Sequence, residues 1–290
     1  MRANVITRLA AAKLNLALHV TGRRADGYHL LESLVAFADF GDEVTVEPAE
    51  TDEFVVRGPY ASWVPIDDSN LVIAARDFLR DLLPGGDTPP VRISLDKRLP
   101  VASGVGGGSS DAAAAIKALI VLWGARVDEW KLAAAAVSLG ADLPMCLVER
   151  PLIARGIGDE IEPLPTLPCV HAVLVNPGAQ ISTPEVFGAL EKHDNDPLPD
   201  WPGANGALEL ARALTGLRND LQRPAIEQCP AISDVLEALR ANGAELSRMS
   251  GSGATCFGIF DGPGPAFAAA DVIGKREPGW FVEPCLIRGT

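Results

Sequence analysis

The segment Pro100-Val101-Ala102-Ser103-Gly104-Val105-Gly106-Gly107-Gly108-Ser109-Ser110-Asp111 runs straight into Ala112-Ala113-Ala114-Ala115-Ile116-Lys117-Ala118-Leu119-Ile120-Val121-Leu122. The second stretch reads as a helix, because alanine and leucine have high helix propensity. Glycines without Cβ atoms admit positive φ and let backbone come close to a ligand, while first-turn N–H groups and the helix dipole favour an anion. The expected guest is a nucleotide phosphate. Two better-known glycine loops are excluded: Walker A needs a lysine after its last glycine, and here Gly108 is followed by Ser109. The dinucleotide fingerprint counted from Gly104 and Gly106 puts Ser109 in its third glycine place. A third kind of phosphate loop remains, against the plainer alternative of a flexible loop capped by Ser109 or Ser110.

A chain of 290 residues fits one large domain or two of ordinary size, and the reading here is two, 1–155 and 156–290. No apolar run reaches the ~18 residues of a membrane span, and the N-terminus lacks a signal-peptide core, so a cytoplasmic protein is expected. The formal charge of −13 argues against nucleic acid and against an anionic membrane as partners. A phosphate site must then be locally basic, and Lys13, Arg23, Arg24, Lys97 and Arg98 supply that charge. Cys146, Cys169, Cys229, Cys256 and Cys285 are widely spread, with no Cys-x-x-Cys pair, and read as reduced core residues. The histidines show no metal-ligand spacing; His19 and His171 read as core groups.

Strands are expected at 16–20, 34–40, 43–47, 54–57, 91–95, 170–176, 255–260 and 281–287 from alternation and β-rich composition. Helices are expected at 70–83, stopped by Pro84-Gly85-Gly86, and at 128–139, with Asp128 as N-cap and Gly140 as stop. Further helices are expected at 206–215, 232–241 and 265–273, with a polar surface loop at 193–205. The pattern is α+β in two parts.

Within a strand Lys13 and Asn15 face the same side. A lysine among apolar residues is either a paired, working cation or one that snorkels from an edge. Asp142, in Gly140-Ala141-Asp142-Leu143-Pro144, is either a carboxylate for chemistry or a helix-stop or turn residue. Met249-Ser250-Gly251-Ser252-Gly253 is either a hairpin turn or a loop presenting N–H groups and hydroxyls. A phosphoryl transferase needs a phosphate cradle, a cation and a carboxylate near the attacking hydroxyl, and this chain offers one of each.

These three glycine-bearing segments, in this order, resemble the GHMP family of small-molecule kinases. One branch is matched most specifically, by Ala12-Lys13-Leu14-Asn15-Leu16 with Arg24-x-Asp26-Gly27-Tyr28-His29-x-Leu31-x-Ser33, and by Asn219-Asp220-Leu221. The resemblance implies a two-domain α+β fold, with a ribosomal S5 domain 2-like N-terminal domain, a ferredoxin-like C-terminal domain and an active site in the cleft between them. It implies transfer of the ATP γ-phosphate, with Mg2+, to the carbon-2 hydroxyl of a cytidine diphosphate-linked methylerythritol, by a monomer or weak homodimer. Lys13 and Asp142 match the family's catalytic pair. Pro100, Val101, Ala102, Ser103, Gly104, Val105, Gly106, Gly107, Gly108, Ser109 and Ser110 match the phosphate loop, and Asn70 and Lys97 the adenine and ribose site. Asn15, Tyr28, His29, Thr183, Pro184, Phe187, Gly251 and Ser252 match positions on the acceptor side, Phe187 being the aromatic that stacks on cytosine. The metal ligands stay open between Ser109, Ser110 and phosphate oxygens alone.

The sequence departs from the family pattern where Ala102 and Ser103 replace glycine or another small residue, and where Val105 replaces leucine. Arg155 adds a charge of unassigned role. Rival readings are a mevalonate- or homoserine-type kinase, which lacks the Asp-Gly-Tyr-His segment, a silent ligand sensor, which would not retain both Lys13 and Asp142, and an RNA-binding module, which the net charge disfavours.

Overall fold

In the computed structural model, which describes residues 4–83 and 85–289, the chain divides into two compact units that are not consecutive in sequence. Residues 1–3, Pro84 and Thr290 lie outside the description, and with Pro84 one residue of the expected helix stop.

The first unit takes residues up to Ala12, then Phe40–Val101 and Gly106–Glu149. It holds the start of β1 (Ile6–Arg23), the later part of β2 (His29–Pro48), β3 (Glu53–Arg57), α1 (Leu71–Leu82), β4 (Val91–Asp96), α2 (Gly107–Leu122), α3 (Glu129–Ala136) and α4 (Leu143–Val148). β4 pairs antiparallel with β2, from Glu43 opposite Asp96 to Pro48 opposite Val91, and parallel with β3. Alternation along β2 and β4 turns Val44, Val46, Ile93 and Leu95 inward, buried with Leu79 of α1 and Ile116 and Leu119 of α2.

The two strands expected at 34–40 and 43–47 are one. Gly41 is no break: its bare Cα lies against the backbone of Ala10 and Ala11, where a Cβ would collide with the Ala10 carbonyl. Asp128 caps its helix as expected, accepting from Lys131 N–H, whereas Asn70, expected as the first helical residue, is the N-cap of α1 and accepts from Val72 N–H. α3 ends at Ala136 and tightens into a 3-10 turn, Val137–Leu139, before Gly140. Asp142 does not stop that helix but immediately precedes α4, which has proline in its first turn, and its carboxylate makes no capping bond.

The second unit takes Lys13–Asp39, Ala102–Val105 and everything described from Arg150 onward. It adds β5 (Leu152–Arg155), β6 (Glu160–Pro163), β7 (Val170–Asn176), α5 (Thr183–Gly188), α6 (Ala207–Thr215), α7 (Gln222–Gln228), α8 (Ala231–Ala241), β8 (Leu246–Met249), β9 (Cys256–Phe260), α9 (Pro263–Arg276) and β10 (Phe281–Ile287). β10 pairs antiparallel with β7, β7 with β9 and β9 with β8, while Ile287 of β10 meets Ala38 of β2. Helices α8 and α9 cover this sheet over Val173, Val175, Ile232, Val235, Leu239, Phe260 and Ile273. The β5–β6 hairpin holds Arg155 against Glu162 at 2.7 Å, which gives that unassigned charge a surface partner.

The boundary expected at 155/156 is linear, whereas both units use the N-terminal strands. β1 and β2, 18 and 20 residues long, each contribute to both. None of the five cysteines is in a disulfide, but Cys169 is exposed and Cys229 half-buried, so these two are not core residues. Both sit in a turn or cap flanked by proline, which apolar neighbours in sequence do not reveal. His19 is a satisfied core group, its Nδ1 3.1 Å from the Asp196 carbonyl and its Nε2 accepting from Arg218 N–H.

Arg248 of β8 carries a buried guanidinium that donates to the carbonyls of Leu16, Leu214 and Leu217 at 2.7, 2.8 and 2.7 Å. Burial pulls its pKa down to about 10. One side chain thus ties β1 to the end of α6, and removing it strands three buried acceptors. Arg248→Met is expected to cost ~3 kcal/mol or more, read as a lower urea midpoint with an unchanged slope.

Candidate functional site

The glycine loop divides its labour. Gly104 and Gly106 adopt left-handed φ of 77° and 64°, and Gly106 is the N-cap of α2. Gly107 and Gly108 are instead the first helical residues, so their use is close approach rather than unusual φ. A Cβ on Gly107 would lie 3.1 Å from Lys97 Nζ, and one on Gly108 would meet nothing within 4 Å. The helical ladder opens with Ser110 N–H donating to Gly106 O at 2.9 Å, which places the N–H groups of Gly107, Gly108 and Ser109 ahead of it. Ser110 is therefore no free donor through its backbone, and its buried hydroxyl lies 3.4 Å from Cys146 Sγ. Neither serine is the cap. Ala102, one of the two departures from glycine, stands at φ 51°, a left-handed conformation that costs an L-residue strain.

Beneath the first turn of α2 lies a buried ionic cluster in the first unit. Lys97 Nζ is 2.6 Å from Asp42 Oδ2 and 2.6 Å from Asp111 Oδ2, and all three side chains are at most 4% exposed. Asp42 Oδ1 accepts the N–H groups of Arg98 and Leu99 at 2.6 and 2.7 Å, so the turn after β4 closes around that carboxylate. Asp111 Oδ1 is buried with no hydrogen-bond partner. Burial pushes the Asp111 carboxyl well above the usual range, with Asp42 adding to burial and Lys97 opposing it. Burial would lower Lys97, but the two carboxylates outweigh it and hold the ammonium charged.

In the second unit the three glycine-bearing segments meet. The Ser250 hydroxyl donates to Gly104 O at 2.9 Å and accepts Asn15 N–H at 3.1 Å. Lys13 N–H donates to Val105 O at 3.0 Å and Thr255 N–H to Ser103 O at 3.0 Å. Asn219 Nδ2 donates to the carbonyls of both Met249 and Gly251 at 2.8 Å, and Thr183 Oγ1 lies 2.7 Å from Ser252 Oγ. At Gly104 a Cβ would run into the Ser250 carbonyl, so only glycine fits. Loop 250–253 is accordingly more than a hairpin turn. Asn15 Nδ2 donates to Ser33 Oγ at 2.7 Å, yet Asn15 Oδ1 is buried without a partner. An orphaned acceptor of that kind costs ~1–3 kcal/mol unless a ligand donor reaches it.

The remaining expected residues fall into place singly. Lys13 is 4% exposed. His29 stacks on Phe187 with ring centroids 5.0 Å apart, Pro184 lies in the first turn of α5, and Tyr28 is 61% exposed. Asn70 uses its amide on Val72 N–H and on the Pro65 carbonyl. Sequence reasoning did not single out Asp42, which stands among Asp39, Glu43 and Glu47 in one strand, nor Asn219 and Ser250 as the ties between segments.

Comparison with known proteins gives the family. The GHMP kinases N terminal domain matches residues 70–150 and the GHMP kinases C terminal domain residues 203–278. A 4-diphosphocytidyl-2-C-methyl-D-erythritol kinase of Mesorhizobium japonicum is 53% identical over 94% of this chain and 92% of its own length. A crystal structure of a 4-(cytidine 5'-diphospho)-2C-methyl-D-erythritol kinase superposes with a TM-score of 0.80 at 36% identity, over 98% of this chain and 100% of the other. A homoserine kinase from Cytophaga hutchinsonii, 16% identical over 99% of this chain and 96% of its own, superposes with a TM-score of 0.74 and shares the fold.

The ionic cluster sets a pH expectation. A carboxyl raised in the folded state holds its proton longer than in the unfolded chain, so its contribution is lost as pH rises above the ordinary carboxylate value. Asp111→Asn removes that loss. The variant is expected to match or exceed the parent in thermal stability at pH 8 and to gain less than the parent on moving to pH 5, as read by calorimetry.

Proposed function

We propose that this chain, which belongs to the GHMP kinase family, transfers the γ-phosphate of ATP to the carbon-2 hydroxyl of 4-diphosphocytidyl-2-C-methyl-D-erythritol, a step of non-mevalonate isoprenoid synthesis. The observation that carries the reading is the meeting of three segments around Asn15, whose buried Oδ1 lacks a donor. Relatives of that activity match the chain nearly end to end.

In this reading Gly107, Gly108 and Ser109 N–H groups receive the β and γ phosphates, favoured by the dipole of α2. Asn70 and Lys97 line the adenine and ribose side, each keeping a hydrogen or lone pair beyond its internal bonds. Asn15, Thr183, Pro184, Gly251 and Ser252 hold the acceptor, and Tyr28, His29 and Phe187 its cytidine end. Asp142 takes the proton of the attacking hydroxyl while Lys13 offsets the charge developing on the transferred group. The new P–O bond forms to the acceptor oxygen as the bond to the β–γ bridging oxygen breaks, and ADP leaves.

Mg2+ fits this site as a partner of ATP rather than of a protein cage. Among the described residues no group of three or more His, Cys, Asp or Glu side chains could hold a metal; the ion would be held by phosphate oxygens, alone or with the hydroxyl of Ser109 or Ser110. When bound it neutralises charge on the β and γ oxygens. Among the described residues no helix is long and apolar enough to cross a membrane. The proposal places a monomer or weak homodimer in the cytoplasm, without nucleic-acid partners.

Three measurements test this. Phosphorylation is expected with the diphosphocytidyl acceptor and to be very poor with methylerythritol phosphate lacking cytidine; equal rates on both would make a general polyol kinase the better reading. Asp142→Asn is expected to lower turnover by at least ~100-fold with ATP binding little changed. Gly108→Ala is favourable by ~1 kcal/mol on helix propensity and meets no protein atom, so it is expected to keep or raise thermal stability while raising the KM for ATP. An unchanged KM there assigns the loop a purely structural role.

A further inference from the structure

We propose that His193, in the segment after α5, is a positioning residue that fixes which tautomer His29 presents to the acceptor's cytosine ring. The inference rests on the reading of His29 as part of the cytidine site.

His193 Nδ1 lies 3.1 Å from His29 Nε2, with ring centroids 5.0 Å apart and planes tilted by 41°. A neutral imidazole has one N–H and one bare nitrogen, so a bond between two of them locks the tautomers together. If His193 Nδ1 donates, His29 presents Nδ1–H as a donor; if it accepts, His29 Nδ1 is an acceptor. A pyrimidine edge carries an amino donor beside two acceptors, so a ring whose polarity is fixed distinguishes cytosine from its relatives, and one free to swap does not.

Position 193 begins a stretch that reads in sequence as a polar surface loop, yet it is pinned. Asn195 donates to the Val20 carbonyl through both its N–H and its Nδ2, at 3.1 Å each. The Asp196 carbonyl lies 3.1 Å from His19 Nδ1 and accepts from the Arg218 guanidinium, while Leu198 N–H donates to Glu32 Oε2 at 2.9 Å. Apart from Arg218, these anchors fall on β1 and β2, the strands that carry the acceptor motif. His29, the first residue of β2, is thus held between the Phe187 ring and the His193 imidazole. The titratable and charged groups acting on it are His193 from the loop and Arg23 from the end of β1. With partial burial as the leading cause, both hold its pKa below the ordinary histidine value. His29 therefore stays neutral, with a tautomer to fix, at neutral pH.

The test uses the full chain with ATP and the diphosphocytidyl acceptor, comparing His193→Ala, His193→Asn and His29→Ala, with 15N NMR of the imidazoles. Loss of one positioned hydrogen bond is expected to raise the acceptor KM of His193→Ala roughly five- to tenfold, with kcat and the KM for ATP changed less than about twofold. The NMR signals of His29 are expected to move from a single tautomer to an averaged mixture. His193→Asn, whose side-chain amide falls near the former Nδ1, is expected to restore both. An unchanged acceptor KM in His193→Ala beside a raised one in His29→Ala overturns the positioning role alone. An unchanged KM in both variants overturns the cytidine reading of His29 itself. Should alanine loosen the loop, the parent protein decides, because tautomer averaging of its His29 overturns the proposal.

Discussion

The carboxylate of Asp42 is the point from which the first unit's approach to the glycine loop is organised. One oxygen gathers the N–H groups of Arg98 and Leu99, and the other holds Lys97, which in turn reaches Asp111 in the first turns of α2. Burying these charges is expensive, and attraction repays the cost only where the geometry is tight and the remaining donors and acceptors are met. Asp42 meets that condition fully. Asp111 does not, since its Oδ1 is left over and burial pushes its carboxyl above the usual range. The gain is positional: the start of α2 is set against strands β2 and β4 by directional bonds, where apolar packing alone would let it slide.

The second unit reaches the same end with neutral groups. Serine hydroxyls and asparagine amides stitch the Asn15 strand, residues 103–105 and loop 250–253 together, the donors finding carbonyl or hydroxyl oxygens. Neutral bonds of this kind are worth ~1 kcal/mol each but are strict about direction. They fix a backbone arrangement that hydrophobic contacts could not specify, and Asn15 Oδ1 is the acceptor they leave over. Ala102 shows the cost of the arrangement, since its left-handed φ is one that glycine would adopt without strain.

Much of this was legible in the chain. Alternation placed β4, β-rich composition placed β7, β9 and β10, and side-chain capping at Asp128 bounded α3. The motif residues Asn15 and Gly104 meet through the Ser250 hydroxyl, and Thr183 meets Ser252. Short elements escaped: β5, β6 and β8 have four residues each, too few to show a period, and α5 and α7 carry prolines that read as loop. The division of the chain escaped for another reason. Composition changes near residue 150, but membership of a unit is set by long-range pairing such as Ile287 with Ala38, which no local window contains. Asp42 was hidden likewise, because its partners lie more than fifty residues away.

That shared use of β1 and β2 bears on how the protein is made. As the chain leaves the ribosome, Ala10 to Val20 emerge as an unbroken run that is buried in the finished fold, yet their partners around Met249 and Asn219 are some two hundred residues behind. The first unit has all its residues once Glu149 is out, while residues 13–39, already synthesised, must wait for β7 to β10. For about half of synthesis, then, an apolar, β-prone segment stands without its later native neighbours, the condition under which nascent chains lean on chaperones and misassemble when crowded.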